Sequence, residues 1–270
     1  MTQAHPLSSR TVILTGAAGL LGREYARALT MAGAFVVMTD LDEHALTDSA
    51  AATGRPHQIR TVAADLTTPD NVRHIVATTL AWRPTIDGLV NNAAVNPQFD
   101  AGRARHTSAF EDFPLAQWTQ ALSVNLTGLF LITQAVVPAM RAQRHGAIVN
   151  VASTYGIVGP DQRLYATNNP EEPQEYKPVT YTVTKSGVIG FTRYLATYLA
   201  GTGVRVNTLS PGGVRHAQSD EFQQRYAAKT PLGRMAERHE YNEALLFLLS
   251  DASSYMTGAN LVVDGGWTAW

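Results

Sequence analysis

Short apolar runs recur along the chain, each five or six residues long: Thr11–Thr15, Phe35–Thr39, Ile59–Ala63, Ile86–Val90, Ala147–Val151, Arg205–Ser210 and Ala259–Val263. Runs this short, rich in Val and Ile and closed by small or polar residues, read as buried strands rather than core helices. Helical stretches separate them. One runs through Ala32, one opens at Thr68-Pro69 with proline in its first turn, and a long one extends from about Leu115 to Ala142. A further helix carries Tyr181 and Lys185, and the last spans about Arg238 to Leu249. Strands alternating with helices imply a parallel sheet with right-handed crossovers. The predicted fold class is therefore α/β, a doubly wound parallel sheet of about seven strands with helices on both faces, in a single domain over residues 1–270. In such a sheet, ligands sit at the carboxyl ends of the strands.

Composition narrows what the chain can do. A hydrophobic fraction of 45% with 16% charged residues is that of an ordinary globular protein. A formal net charge of −1 gives no electrostatic footprint for nucleic acid or an anionic membrane. The absence of cysteine excludes disulfides and thiolate catalysis and argues against a structural zinc, so no metal is expected. Met1 to Arg10 holds no apolar core of signal-peptide length, and no uninterrupted apolar run approaches about 18 residues, so a cytoplasmic protein is expected.

The first strand runs straight into Gly16-Ala-Ala-Gly19-Leu-Leu-Gly22 and then a helix. Glycines let a backbone turn sharply and approach a pyrophosphate, whose charge a helix N-terminus stabilises, so the unit reads as Rossmann-like. The second strand ends in Asp40, 24 residues beyond Gly16. A carboxylate there accepts hydrogen bonds from an adenosine ribose and repels a 2′-phosphate, which points to NAD over NADP. No Arg or Lys occurs from Gly16 to Gly22, and Leu41 follows Asp40. The competing reading is that Asp40 only caps the next helix. Further on, Asp65-Leu66 closes the third strand, with Asp65 a candidate partner for an adenine amino group, and Asn91-Asn92-Ala93-Ala94 allows close approach after the fourth.

The candidate chemistry centres on Tyr181-Thr-Val-Thr-Lys185. Residues four apart share a helix face, and an ammonium near a phenol favours the phenolate, so Tyr181 is expected to act as a general base below its usual pKa of about 10. The chain has 18 Arg but only 3 Lys, at 177, 185 and 229, and Tyr181 alone of 10 Tyr has a Lys four residues on. Those counts predict about 0.1 such pairs by chance. A compact ammonium is chemically unlike a planar guanidinium, so Lys in an Arg-using chain points to function.

With Thr15-Gly16, Asp65, Asn91-Asn92-Ala93-Ala94, Asn125, Ser153, Tyr181 and Lys185, Asn207, Pro211-Gly212 and the ending Val262-Val-Asp-Gly265-Gly266, the chain resembles the short-chain dehydrogenase/reductase family over essentially its full length. The resemblance implies a catalytic set of Ser153, Tyr181 and Lys185, with Asn125 supporting a proton-relay water. It also implies cofactor contacts from Gly16, Gly19, Leu20, Leu21, Asp40, Asp65, Leu66, Asn92, Ala93, Tyr181, Lys185, Pro211, Gly212 and Val214, and a homotetramer. Retention of all four catalytic positions argues against a dinucleotide-binding sensor without turnover. An NADPH-dependent carbonyl reductase stands as the alternative enzyme.

Three departures from the family pattern shape expectations. Leu20 takes the place of the usual middle glycine, with Gly19 before it. Ser153 and Tyr181 lie 28 apart, against the usual dozen or so, and the polar, proline-rich residues 161–177 read as an excursion from the active-site rim. No Thr follows Pro211-Gly212, where the chain has Gly213-Val214-Arg215-His216 instead. The rim is polar and cationic at Asn96, Gln98, Arg103, Arg105, His106, Gln162, Arg163, Arg215 and His216. That composition disfavours an apolar steroid or acyl chain and favours a hydroxylated, sugar-like substrate; the carboxyl-terminal part resembles sugar-acting bacterial members. Residues 213–236 are expected to form a substrate lid, and the tail with Trp267 and Trp270 to pack on another subunit.

Overall fold

All seven predicted strands form. The computed structural model of the chain describes residues 6–96, 109–166 and 174–270. In order, its elements are β1 (Thr11–Thr15), α1 (Leu20–Met31), β2 (Phe35–Asp40), α2 (Glu43–Ala51), β3 (Ile59–Ala63), α3 (Pro69–Trp82), β4 (Gly88–Asn91) and α4 (Leu115–Leu122). Then come α5 (Leu129–Gln143), β5 (Gly146–Val151), α6 (Val179–Tyr198), β6 (Val204–Pro211), α7 (Asp220–Lys229), α8 (Asn242–Leu249) and β7 (Asn260–Val263). The strands make one parallel sheet in the order β3-β2-β1-β4-β5-β6-β7. Strand order reverses between β1 and β4, which opens the ligand crevice at their carboxyl ends.

Alternation along each strand builds two cores. Val12, Leu14, Val36, Met38, Val149 and Val151 face the α1 and α8 side, where they meet Tyr25, Leu29, Leu245 and Leu248. Ile13, Val37, Leu89 and Ile148 face the other side, against Val72, Ile75, Ile132, Val136, Met140 and Leu195. Burial on both faces explains why the strands read as continuous apolar runs. Local signals set the helix starts. Asp42 accepts from the Ala45 amide at the head of α2, Pro69 opens α3, and Ser219 accepts from the Phe222 amide at the head of α7.

Two predicted helices come out differently. The last begins as a 3-10 turn, Arg238–Tyr241, held by a Glu237–Glu240 capping box, before α8 takes over. The long helix runs unbroken from Leu115 to Gln143, but Ser123–Gly128 wind as a π helix around Asn125. By length and composition this segment could cross a membrane. Its apolar face is instead core, with Leu129, Ile132, Val136 and Met140 buried.

Candidate active site

The loop from β1 to α1 is drawn tight against the end of β4. Gly16 has φ +64°, and a Cβ there would lie 2.7 Å from the Ala93 Cα. Only glycine meets both demands. At Gly22 a Cβ would fall 2.0 Å from the Gly16 carbonyl oxygen. Gly19 is the exposed N-cap of α1, and Leu20 is its first helical residue. Leu20, which departs from the family glycine pattern, thus occupies an ordinary helical position. First-turn amides of Leu20, Leu21 and Gly22 have no acceptor within their own helix, which suits an anionic phosphate. The Asn92 amide donates to the carbonyls of Thr15 (3.2 Å) and Gly16 (3.0 Å), while the Asn92 and Ala93 amides donate to Thr15 Oγ1. The side-chain amide of Asn92 therefore braces the loop instead of reaching outward.

Asp40 does not cap the next helix; Asp42 does. The Asp40 carboxylate accepts from the Ala18 amide at 2.9 Å and from the Leu41 amide at 2.8 Å, which fixes it beside the glycine loop. Asp65 Oδ1 is held by the amide and hydroxyl of Thr67, and its other oxygen has no partner among the described residues. Leu66 is buried on the π segment, where it faces Gly128. A feature missed in the sequence is Arg23, whose Nε donates to the Ala18 carbonyl at 2.8 Å and so sets a guanidinium over the loop. On the other flank, Gly212 packs against Asp264, and Val214 bridges to Ala236. The residues present fit a dinucleotide: backbone amides for its phosphates, a carboxylate for its ribose, and the unpartnered Asp65 oxygen for its base.

The sheet edge gathers Ser153, Tyr181, Lys185 and Asn125. Ser153 follows β5, Tyr181 lies in the first turn of α6, and Lys185 is one turn on. Lys185 is buried, and its Nζ donates to the Val151 carbonyl at 2.8 Å. Burial pushes its pKa down to about 8. The expected lowering of the Tyr181 pKa is not what burial gives: desolvation raises it, and a hydrogen bond with Ser153 opposes that rise. Lys185 Nζ is 5.8 Å from the Tyr181 ring centroid and turned toward Val151, so desolvation outweighs it. The Asn125 side chain is also not free to hold a water. It accepts from the Val95 amide (2.7 Å) and donates to the Val95 carbonyl and to Thr184 Oγ1, both at 3.1 Å. These bonds tie α6 to the loop after β4 across the π turn.

The walls around Tyr181 depart furthest from expectation. Tyr155 meets the Tyr181 ring edge-on at 6.4 Å, Tyr165 packs on Phe222, and Tyr226 stacks on Trp267 at 4.2 Å. This aromatic cluster joins the excursion, α7 and the tail, three segments distant in sequence. Trp267 is therefore an intramolecular packing residue, while Trp270 remains 80% exposed. Among the described residues, the cationic positions of the expected rim are already engaged. Arg163 pairs with Asp161, which also pairs with Lys229, and Arg215 pairs with Glu237. His216 bonds Arg238. Gln162 accepts from the Lys177 amide, and Asn96 from the Lys177 ammonium. Gln98, Arg103, Arg105 and His106 lie outside the described residues. The ends of the segment expected as a lid are pinned together, with the Arg215 amide donating to Ala236 and the Ala236 amide to Gly213.

Residues 10–168 match the family described as short chain dehydrogenase, and residues 172–268 that described as Enoyl-(Acyl carrier protein) reductase. The chain belongs to the short-chain dehydrogenase/reductase family. It is 33% identical over 266 residues to 3-oxoacyl-(acyl-carrier-protein) reductase FabG of Thermotoga maritima, covering 96% of this chain and 98% of that one. It is 32% identical to cis-4-hydroxycyclohexanecarboxylate dehydrogenase of Sinomonas cyclohexanicum, covering 97% and 98%. A crystal structure of a short chain dehydrogenase from Leptospira borgpetersenii with bound NAD+ superposes with a TM-score of 0.85 at 30% identity, covering 99% and 96%. As a short-chain dehydrogenase/reductase, the chain is an NAD(P)-dependent oxidoreductase acting on CH–OH groups.

Proposed function

We propose that this short-chain dehydrogenase/reductase uses NAD to interconvert a secondary alcohol and a ketone on a polar, hydroxylated, sugar-like ring. The observation that carries the reading is the meeting of Ser153, Tyr181 and Lys185 at the carboxyl end of β5, where Tyr181 bonds Ser153 and Lys185 bonds the Val151 carbonyl. Bound dinucleotide supplies the hydride acceptor or donor. The chain's own residues handle the proton. Tyr181 exchanges it with the substrate hydroxyl while Ser153 fixes the reacting oxygen, and Lys185 stabilises the phenolate as it forms and binds the nicotinamide ribose. At an effective dielectric near 20, an ammonium about 6 Å away is worth roughly 3 kcal/mol to that phenolate. Asn125 acts by holding the Val95 loop and α6 in register.

Aromatic walls support a ring-shaped substrate, since flat faces pack on rings and exclude water. Asp40 beside the loop supports NAD. Arg23 favours a second reading, NADPH-dependent carbonyl reduction, because its guanidinium lies on the loop that Asp40 braces. Residues 213–236, pinned at both ends, would close over the substrate. Assembly as a homotetramer is supported by the apolar groove of Leu126, Leu129, Phe130 and Phe191 between α5 and α6. The Tyr181→Phe variant tests the chemistry: turnover should fall at least about 100-fold while NADH still binds, and unchanged turnover would remove Tyr181 from the mechanism. Titration of NADH against NADPH separates the two cofactor readings, tighter NADPH binding deciding against NAD.

A further inference from the structure

Lys177 is one of only three lysines in the chain, and it sits on the same tyrosine ring as Lys185. Its Nζ lies 4.2 Å from the Tyr181 ring centroid, nearer than Lys185 at 5.8 Å. The residue belongs to the excursion between Ser153 and α6, so its placement reflects what these extra residues add to the site. Both ends of the lysine are fixed. The backbone amide donates to Gln162 Oε1 at 2.8 Å, and the ammonium donates to Asn96 Oδ1 at 2.6 Å.

Charge balance sets this lysine apart from its neighbours. Arg163 and Lys229 share Asp161, Arg215 has Glu237, and Arg234 has Glu240. Among the described residues no carboxylate pairs with Lys177, although its side chain is packed against an aromatic face. An ammonium has three donors; Asn96 takes one, and the side chain remains partly exposed. Lys185 likewise pairs with no carboxylate among the described residues, so two ammoniums meet the Tyr181 ring. The Tyr181 ring face offsets part of the cost of packing such a cation, and an anionic ligand would supply a full counter-charge.

We propose that Lys177 is the substrate-anion subsite of this enzyme, and that the substrate carries a carboxylate near its reacting carbinol, held by the Lys177 ammonium beside the amide of Asn96. The proposal deepens the oxidoreductase reading above and rests on it. A carboxylate fits better than a phosphate because the subsite offers one compact ammonium, whereas a phosphate dianion calls for more donors or a guanidinium fork. Tyr155 and Tyr181 provide flat walls for the carbon frame joining the two ends.

The test is calorimetric titration of the protein saturated with NADH, using cyclohexanecarboxylate and its neutral carboxamide as probes. Cyclohexanecarboxylate should bind at least tenfold more tightly. That preference should vanish in Lys177→Gln and persist in Lys177→Arg, with NADH affinity in both variants close to the parent's. Equal binding of acid and amide to the parent, or failure of both to bind, would overturn the subsite. So would a preference that survives in Lys177→Gln. Failure of the parent to bind NADH would instead bring down the oxidoreductase reading, and this inference with it.

Discussion

Replacing Lys185 with methionine should stabilise the fold at neutral pH while abolishing turnover. Lys185 is only 5% exposed, and burial holds its pKa at about 8 against an ordinary value of 10.5. That difference corresponds to roughly 3 kcal/mol opposing the fold when the amine is charged. Methionine fills similar volume without charge, but it forfeits the bond to the Val151 carbonyl, which offsets about 1–2 kcal/mol. The net gain is about 1–2 kcal/mol, or roughly 2–6 °C in Tm for a chain of this size.

The sign of the pH dependence follows from the folded pKa lying below the unfolded one. Between pH 8 and 10.5 the unfolded chain holds more protons, so the parent gains stability as pH rises through that window. Below pH 8 the penalty is complete; above 10.5 it is gone. The advantage of Lys185→Met should therefore be largest at pH 7 and shrink toward pH 10. Lys177, also held at about 8 by burial and then by the Lys185 charge, eases when Lys185 is removed and adds to the gain. Thermal unfolding followed by circular dichroism at pH 7 and pH 10 reads both effects. A variant that melts below the parent at pH 7, or whose advantage is unchanged at pH 10, would refute the reasoning.

Two other perturbations probe the scaffold. Gly16→Ala forces a left-handed φ on a residue with a Cβ and drives that atom to 2.7 Å from the Ala93 backbone; a loss of at least about 2 kcal/mol in urea unfolding and a tenfold or greater weakening of NADH binding are expected. Asn125→Ala strands the amide and carbonyl of Val95 and releases Thr184, so stability should fall by about 2–4 kcal/mol, with Asn125→Asp recovering only the bond from the Val95 amide, as denaturant melts would show.

Much of the site was readable before any coordinates. Gly16 was legible because a strand, a glycine and a helix in succession leave little choice of backbone path, and the Tyr181–Lys185 pair because helical spacing puts it on one face. What those side chains bond to was not. Lys185 turns to Val151, 34 residues back, and Asn125 to Val95, 30 back. The polar rim was legible only as a list of charged residues, which does not say that Arg163 is paired with Asp161 or Arg215 with Glu237. Lys177 was countable as a rare lysine, yet nothing in its neighbourhood ties it to Asn96, 81 residues earlier.

The sequence by itself determined the seven strands, their parallel winding, the crevice at the switch between β1 and β4, and the residue types able to move a proton there. Those follow from short-range sterics and from burial of both sheet faces, which act residue by residue and leave a periodic trace. Only the tertiary structure decided the sign of the Tyr181 pKa shift, the aromatic walls built from Tyr155, Tyr226 and Trp267, and the second ammonium on the Tyr181 ring. Those depend on how completely water is excluded and on which atoms meet across distant segments, and that is settled only when the chain has packed.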